Sequence, residues 1–244
     1  MDVIEGRNPV VEALRAGRPI SKILMERTIE RHGAIDQILQ LAKTNNVQVE
    51  FIDRQSMSRQ STTNSNQGVI AYAQAKKYVD LDDLLDISKK KDEKPLYLVL
   101  DGIEDPHNLG AILRTAEATG IHGVVIRERR AVGLTPAAVK ASAGAVEYMP
   151  LARVTNISQA IVMLKKNNVW VTGIDMAGTV EYTQVDYRLP TAIVIGGEGK
   201  GLSDLVSKRC DSLALIPMVG KISSLNASVA AAVVMYEALK QRKG

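Results

Sequence analysis

Cysteine is nearly absent from this 244-residue chain, where Cys210 stands alone. A lone thiol closes no internal disulfide, so the fold must rest on its core, as expected in a reducing compartment such as the cytoplasm. Aromatic residues are scarce too, at 4%, with one tryptophan and one phenylalanine. That scarcity speaks against a stacking platform for single-stranded nucleic acid. No apolar run approaches the ~20 residues of a membrane span. The opening residues, MDVIEGRNP, show neither the basic start nor the apolar stretch of a signal peptide.

What is present is the composition of an ordinary globular protein: 45% hydrophobic and 24% charged, with a formal net charge of +4. A mild positive charge suits a polyanionic partner without demanding one. The charge is uneven. Between Gly123 and Arg153, the residues Arg127, Arg129, Arg130, Lys140 and Arg153 face only Glu128 and Glu147. A solvated surface is the first explanation of this excess, and a binding face the second.

Along the chain, residues 1 to 75 read as a small α/β unit. Asn8-Pro9 opens a helix, a strand covers 21 to 25, and Ile35, Ile38, Leu39 and Ala42 fall at helical spacing. Strands follow at 47 to 52 and 68 to 73. The charge-dense stretch 76 to 94 reads as a linker carrying one short helix. Beyond Pro95, continuous apolar runs at 96–101, 123–127, 169–174, 191–196 and 213–217 alternate with helical patterns. Such runs are strands buried on both faces, which implies a largely parallel sheet covered by helices.

Three segments carry more than periodicity. In DPHNLGAILRTA, Asp105 to Ala116, a strand end feeds a helix, the place where open α/β sheets bind ligands. Asn108 there is explained adequately as a helix cap. Arg114 falls among the apolar positions Leu113 and Ala116, where an unpaired guanidinium is costly, so it calls for an anion. Functional and structural readings of it stay open. The second segment is GGEGKGL, Gly196 to Leu202. Its glycines let backbone approach a ligand closely, yet neither the dinucleotide spacing nor the phosphate-loop lysine pattern fits. Glu198 within it is a solvated loop residue or an acceptor aimed into a site. The third, IPMVGKISSLNASVAAA, Ile216 to Ala232, places Ser224 and Asn226 at a helix start, where caps are their commonest role.

In this order and spacing the three segments resemble the motifs of the SpoU (TrmH) family of RNA ribose 2′-O-methyltransferases. The match spans 95 to 244, and EGRNPVVEAL extends it to nearly the whole chain. It is most similar to the RlmB-like branch, which modifies 23S ribosomal RNA. One departure is Asn66, where relatives often have histidine before Gln67-Gly68. The resemblance implies a SPOUT-type α/β fold: a parallel sheet with a C-terminal deep trefoil knot, plus a small N-terminal substrate-binding domain. It implies three bodies, with a domain at 1–75, a linker at 76–94 and a methyltransferase domain at 95–244. The implied cofactor is S-adenosyl-L-methionine, held by Gly196, Gly197, Ile216, Met218 and Leu225. The implied catalytic set is Asn108, Arg114, Glu198, Ser224 and Asn226. Arg7, Asn8 and Arg114 are the candidates for contact with RNA. A homodimer is implied, in which Arg114 of one subunit completes the pocket of the other, with no metal and no membrane. Alternatives are a transfer RNA or antibiotic-resistance target, a non-catalytic RNA-binding assembly factor on the same fold, and a nucleotide-dependent dehydrogenase or kinase.

Overall fold

The computed structural model describes residues 1–63, 65–90, 92–129, 131–199 and 201–244. Arg130 and Lys200, which belong to the charged and glycine-rich stretches above, lie outside the described residues. Two compact units form: Met1–Lys77 with Leu134–Tyr148, and Tyr78–Gly133 with Met149–Gly244. The first break, after Lys77, lies close to the expected end at 75, while residues 78–94 join the second unit and Leu134–Tyr148 joins the first.

The first unit runs β1 (Asp2–Glu5), α1 (Arg7–Arg15), β2 (Ile20–Glu26), α2 (Ala34–Thr44), β3 (Gln48–Ile52), α3 (Arg54–Gln60) and β4 (Val69–Ala73). Its sheet has the order β1-β4-β2-β3, with β2 parallel to β3 and β4 antiparallel to both neighbours. Residues Val10, Val11 and Leu14 of α1, and Ile35, Ile38 and Ala42 of α2, recur at three- and four-residue steps and are buried. Gly6, with φ 102°, is the N-cap of α1, so Asn8 is not a cap but an exposed second helical residue. The short α3 starts at Asp53, whose carboxylate accepts the Ser56 N–H at 2.9 Å. It buries only Met57, and one apolar residue is too little periodicity to read from sequence.

The second unit opens with α4 (Leu81–Lys90), β5 (Leu96–Asp101), α5 (Pro106–Ala118) and β6 (Gly123–Arg127). The expected linker over 76–94 is therefore largely folded. Leu81, Leu84 and Leu85 are buried in one core with Tyr97, Val125 and Ile161, a helical stripe hidden in the sequence by surrounding charge. The chain next supplies α6 (Pro136–Ala141), capped by Thr135, to the first unit. This returning segment is tied there by a 2.6 Å ion pair between Arg18 and Glu147, whose side chains are 5% and 2% exposed. Removing one partner of such a buried pair costs about 3–5 kcal/mol.

Back in the second unit come β7 (Leu151–Val154), α7 (Ile157–Lys166), β8 (Trp170–Ile174), β9 (Val180–Glu181), β10 (Thr191–Gly196), α8 (Asp204–Arg209), β11 (Ser212–Leu215) and α9 (Ala227–Lys243). All seven strands are parallel, in the order β7-β6-β5-β10-β8-β11-β9. The β5 residues are buried throughout, as the continuous apolar run requires. From β5 the chain winds outward through β6 and β7, while β10 flanks it on the other side. Their junction is a switch point of strand order, where ligands of open α/β sheets bind beyond the strand ends. Pairing runs from Leu96↔Thr191 to Asp101↔Gly196, so both strands end side by side.

Candidate active site

At those strand ends the backbone is packed too tightly for side chains. A Cβ on Gly196 would lie 2.2 Å from the Gly201 carbonyl carbon, and one on Gly197 would lie 2.3 Å from the Gly102 carbonyl oxygen. The turn after β10 folds back on itself, with the Gly201 N–H donating to the Gly197 carbonyl at 3.1 Å. Beneath it, the buried Asp101 carboxylate accepts the backbone N–H and hydroxyl of Ser203 at 2.9 and 2.7 Å, which fixes the exit of the turn. The result is a cleft of about 590 Å³ walled partly by bare backbone. Gly196, Gly197, Ile216, Met218 and Leu225, the residues expected to hold a cofactor, all line it. So do Asp175 and Met176, which sequence reasoning missed. They follow β8, and the strand-end rule could have found them once the strand order was known.

Glu198, Ser224 and Asn226 line the same cleft. Asn226 caps α9, with its Oδ1 accepting the Ser228 N–H at 2.9 Å and the Ser228 hydroxyl at 2.6 Å. That bonding fixes its amide, whose Nδ2 must then donate outward. It donates to Glu198 Oε1 at 2.7 Å and to Asn108 Oδ1 at 3.1 Å. Asn108 is oriented in turn, and its Nδ2 donates to the same Glu198 oxygen at 2.5 Å. Asn108 is not a cap. Asp105 caps α5, accepting the His107 N–H at 2.6 Å, and this leaves the 8%-exposed Asn108 side chain free for the cluster. Three segments far apart in sequence thus meet through one carboxylate oxygen.

Ser224 reaches the cleft wall with an exposed side chain. Arg114 does not join the cluster. Leu109, Ile112, Leu113 and Ala116 are buried, whereas Arg114 is exposed. At about 100° per residue it points well away from that apolar stripe, so its expected place in the buried face is corrected. Among the described residues it makes no side-chain hydrogen bond or ion pair. Arg7 and Asn8 belong to the first unit, at the start of α1.

Residues 95–236 match the SpoU rRNA methylase family, and residues 3–79 match the RNA 2′-O ribose methyltransferase substrate-binding family. The Bacillus subtilis (strain 168) protein YacO, assigned to the TrmH family of tRNA/rRNA methyltransferases, is 44% identical over 99% of this chain and 96% of its own length. Among solved structures, the SpoU methyltransferase AviRb from Streptomyces viridochromogenes has a TM-score of 0.83 at 26% identity, covering 99% of this chain and 90% of its own. AviRb has also been solved with AdoMet, at a TM-score of 0.82. The AdoMet-bound rRNA methyltransferase from Sinorhizobium meliloti gives 0.80 at 26% identity, over 98% of this chain and 87% of its own. The three interacting segments, the glycine-walled cleft and these likenesses agree, and the chain belongs to the SpoU rRNA methylase family.

Proposed function

We propose that this protein methylates the ribose 2′-hydroxyl of a guanosine in 23S ribosomal RNA, working in the cytoplasm as a homodimer. Membership of the family makes it an S-adenosylmethionine-dependent RNA methyltransferase. The observation that carries the methyl-transfer reading is the Asn108–Glu198–Asn226 cluster on the rim of the glycine-walled cleft. The residues present fit the cofactor. Gly196 and Gly197, where a Cβ would collide with the backbone of Gly201 and Gly102, put bare backbone on the cleft wall to meet an extended polar ligand, and the volume suits a small-molecule site. When bound, S-adenosylmethionine supplies an electrophilic methyl group on a sulfonium.

The chain's own work is alignment and charge. In-line transfer needs the acceptor oxygen held in line with the methyl group. The cluster fixes α5, the glycine turn and α9 as one rim against which a ribose can be seated. Arg114 is unsuited to accept the hydroxyl proton, because a guanidinium carries donors only and has no acceptor site for a proton. Its role here is to stabilise the developing alkoxide and to grip the neighbouring phosphate. Its exposure and lack of a side-chain partner among the described residues support a role in the pocket of a second copy. So does α9, which packs on α5 yet leaves Val229 and Tyr236 47% and 55% exposed. An isologous pair of such faces closes on itself.

The trefoil knot belongs to the same proposal. Its support is that β11 lies between β8 and β9, after which the chain crosses the cleft to reach α9. The choice of 23S RNA rests on the branch resemblance, and the substrate-binding match over residues 3–79 supports an RNA substrate. Among the described residues no helix is long and apolar enough to cross a membrane. The test is mass-spectrometric mapping of 2′-O-methyl groups in RNA from cells with and without the protein. Loss of one guanosine methyl in 23S RNA is the expected result. A lost methyl in transfer RNA would replace the substrate, and an unchanged RNA would overturn the reading.

A further inference from the structure

A second cleft, of about 500 Å³, opens in the first unit beside the β2–α2 connection, the start of α3 and the loop before β4. Two of its residues are placed against the interest of their own helices. Arg7 is the first residue of α1 and Arg54 the first of α3, where a cation meets the positive end of the helix dipole. Arg54 is exposed, and its side chain makes no hydrogen bond or ion pair among the described residues. Glu26 and Glu30 line the same cleft. Two guanidinium groups against two carboxylates leave no strong positive field, so the cleft is poorly suited to a bare phosphate.

One wall is held rigidly. The buried Glu5 carboxylate accepts hydrogen bonds from Ser61 at 3.0 Å, from the Thr63 N–H at 3.0 Å and from Thr62. Lys140 donates to the Ser65 carbonyl at 2.5 Å. Beyond these anchors Gln67 and Gly68 both take left-handed backbone, with φ 54° and 76°. A Cβ on Gly68 would stand 2.8 Å from Ile29 Cδ1. Gln67 is fixed by Arg7, whose N–H donates to its Oε1 at 2.9 Å and whose Nε donates to its carbonyl at 3.3 Å. These bonds hold the non-glycine Gln67 in the left-handed region, a conformation that functional sites often retain.

We infer that this cleft takes one unpaired guanine base of the RNA substrate. Guanine presents two adjacent donors, N1–H and N2–H₂, which a carboxylate accepts. Beside them it presents the acceptors O6 and N7, which a guanidinium serves. Both partners line the cleft, with Ile29 and Met57 as apolar walls. Unstacked bases of folded RNA are read along these edges. The inference rests on the reading of ribosomal RNA as substrate, and it deepens that reading by assigning a recognition contact to the first unit.

The test has two arms on the full chain. In the first, protein carrying ¹³C-methyl isoleucine and methionine is titrated with guanosine, adenosine, cytidine and uridine 5′-monophosphates. Saturable shifts of Ile29 and Met57 with the guanosine nucleotide, absent with the pyrimidines and lost in Arg54→Ala, are expected. Equal shifts with all four overturn the assignment to guanine, and no shift at millimolar nucleotide overturns the site. In the second arm, methylation of ribosomal RNA by Arg54→Ala and Glu30→Gln should show KM raised roughly 10-fold with kcat unchanged, the scale of one base contact. Unchanged KM beside an active wild type overturns the inference and leaves the substrate reading intact. A wild type that methylates no ribosomal RNA sinks the substrate reading, and the titration alone then decides the cleft.

Discussion

Asn226 carries two roles on one side chain, with its oxygen capping α9 and its nitrogen bridging Asn108 and Glu198. The roles can be separated. Asn226→Ala removes both, and the lost cap alone costs about 1 kcal/mol, or roughly 2–4 °C in Tm for a chain of this size. Asn226→Asp keeps the capping oxygen but sets a carboxylate against Glu198. Its Tm should stay near that of the wild type while methyl transfer falls about 100-fold, as read by thermal unfolding and labelled-methyl incorporation. Equal losses of stability and activity across the two variants would refute a role beyond capping. Cys210 offers a second test. Burial, with Asp211 beside it, pushes its thiol up to about 12, so almost no thiolate exists at pH 8 and iodoacetamide should label the native protein far more slowly than the unfolded chain. Fast labelling would contradict the packing around α8. At this scale the sequence reading was uneven for a local reason. Asn108 and Asn226 both look like caps, yet only Asn226 is one, because Asp105 sits where it can cap α5 first. Arg114 was misplaced because neighbours in sequence need not share a helix face.

Among elements, the glycine turn after β10 is the least replaceable. Gly197→Ala would drive a Cβ into the Gly102 carbonyl, where both partners are backbone and neither can swing aside. We expect lower stability and at least a tenfold loss of S-adenosylmethionine affinity by calorimetry, since overpacking of about 1–3 kcal/mol falls on the cleft wall itself. Unaltered affinity would contradict the cradle. The loop before β4 is held by charge instead. Burial pushes the Glu5 carboxyl up, but hydrogen bonds from Thr63, Thr62 and Ser61 outweigh it and hold it below its ordinary value of 4.5. A depressed carboxylate stabilises the fold fully above its unfolded value, and the contribution is lost as pH falls through the folded one. Glu5→Gln should therefore cost about 2 kcal/mol near neutrality. The gap to wild type should close below about pH 4.5, followed by denaturant unfolding at several pH values. A gap constant with pH would show that the charge plays no part. Strands β5, β6 and β10 were legible because burial on both faces leaves an unbroken apolar run. The elements α3, α8, β7 and β9 were not, being short, polar or at a sheet edge, while α4 is the short helix expected within 76–94, and only its packing into the core went unread because charge masked its leucine stripe.

For the whole molecule, the return of Leu134–Tyr148 to the first unit changes how its parts can be tested. Cutting the chain at 75 or 95 would strip α6 of its packing and leave Glu147 without Arg18, so point substitutions are the cleaner probe. Nothing in the periodicity around Thr135 revealed this, because the segment returns through non-local contacts. The proposed knot and dimer rest on the family resemblance, for hydrophobic spacing carries no information on threading or on a second copy. Shared sites make a quantitative claim. Random exchange between Arg114→Ala and Asn226→Ala chains makes half the dimers mixed, each with one pocket free of both changes, so about a quarter of wild-type activity should return. No recovery despite demonstrated exchange would mean that each chain completes its own site. The central claim is that the cluster on the cleft rim directs a methyl group to a ribose oxygen of RNA. Its most direct measurement incubates the purified protein with methyl-labelled S-adenosylmethionine and ribosomal RNA from cells lacking it, then digests the RNA to nucleosides. The account requires the label in a single 2′-O-methylnucleoside and its loss in Asn226→Asp. Label on a base, or full transfer by that variant, would contradict it.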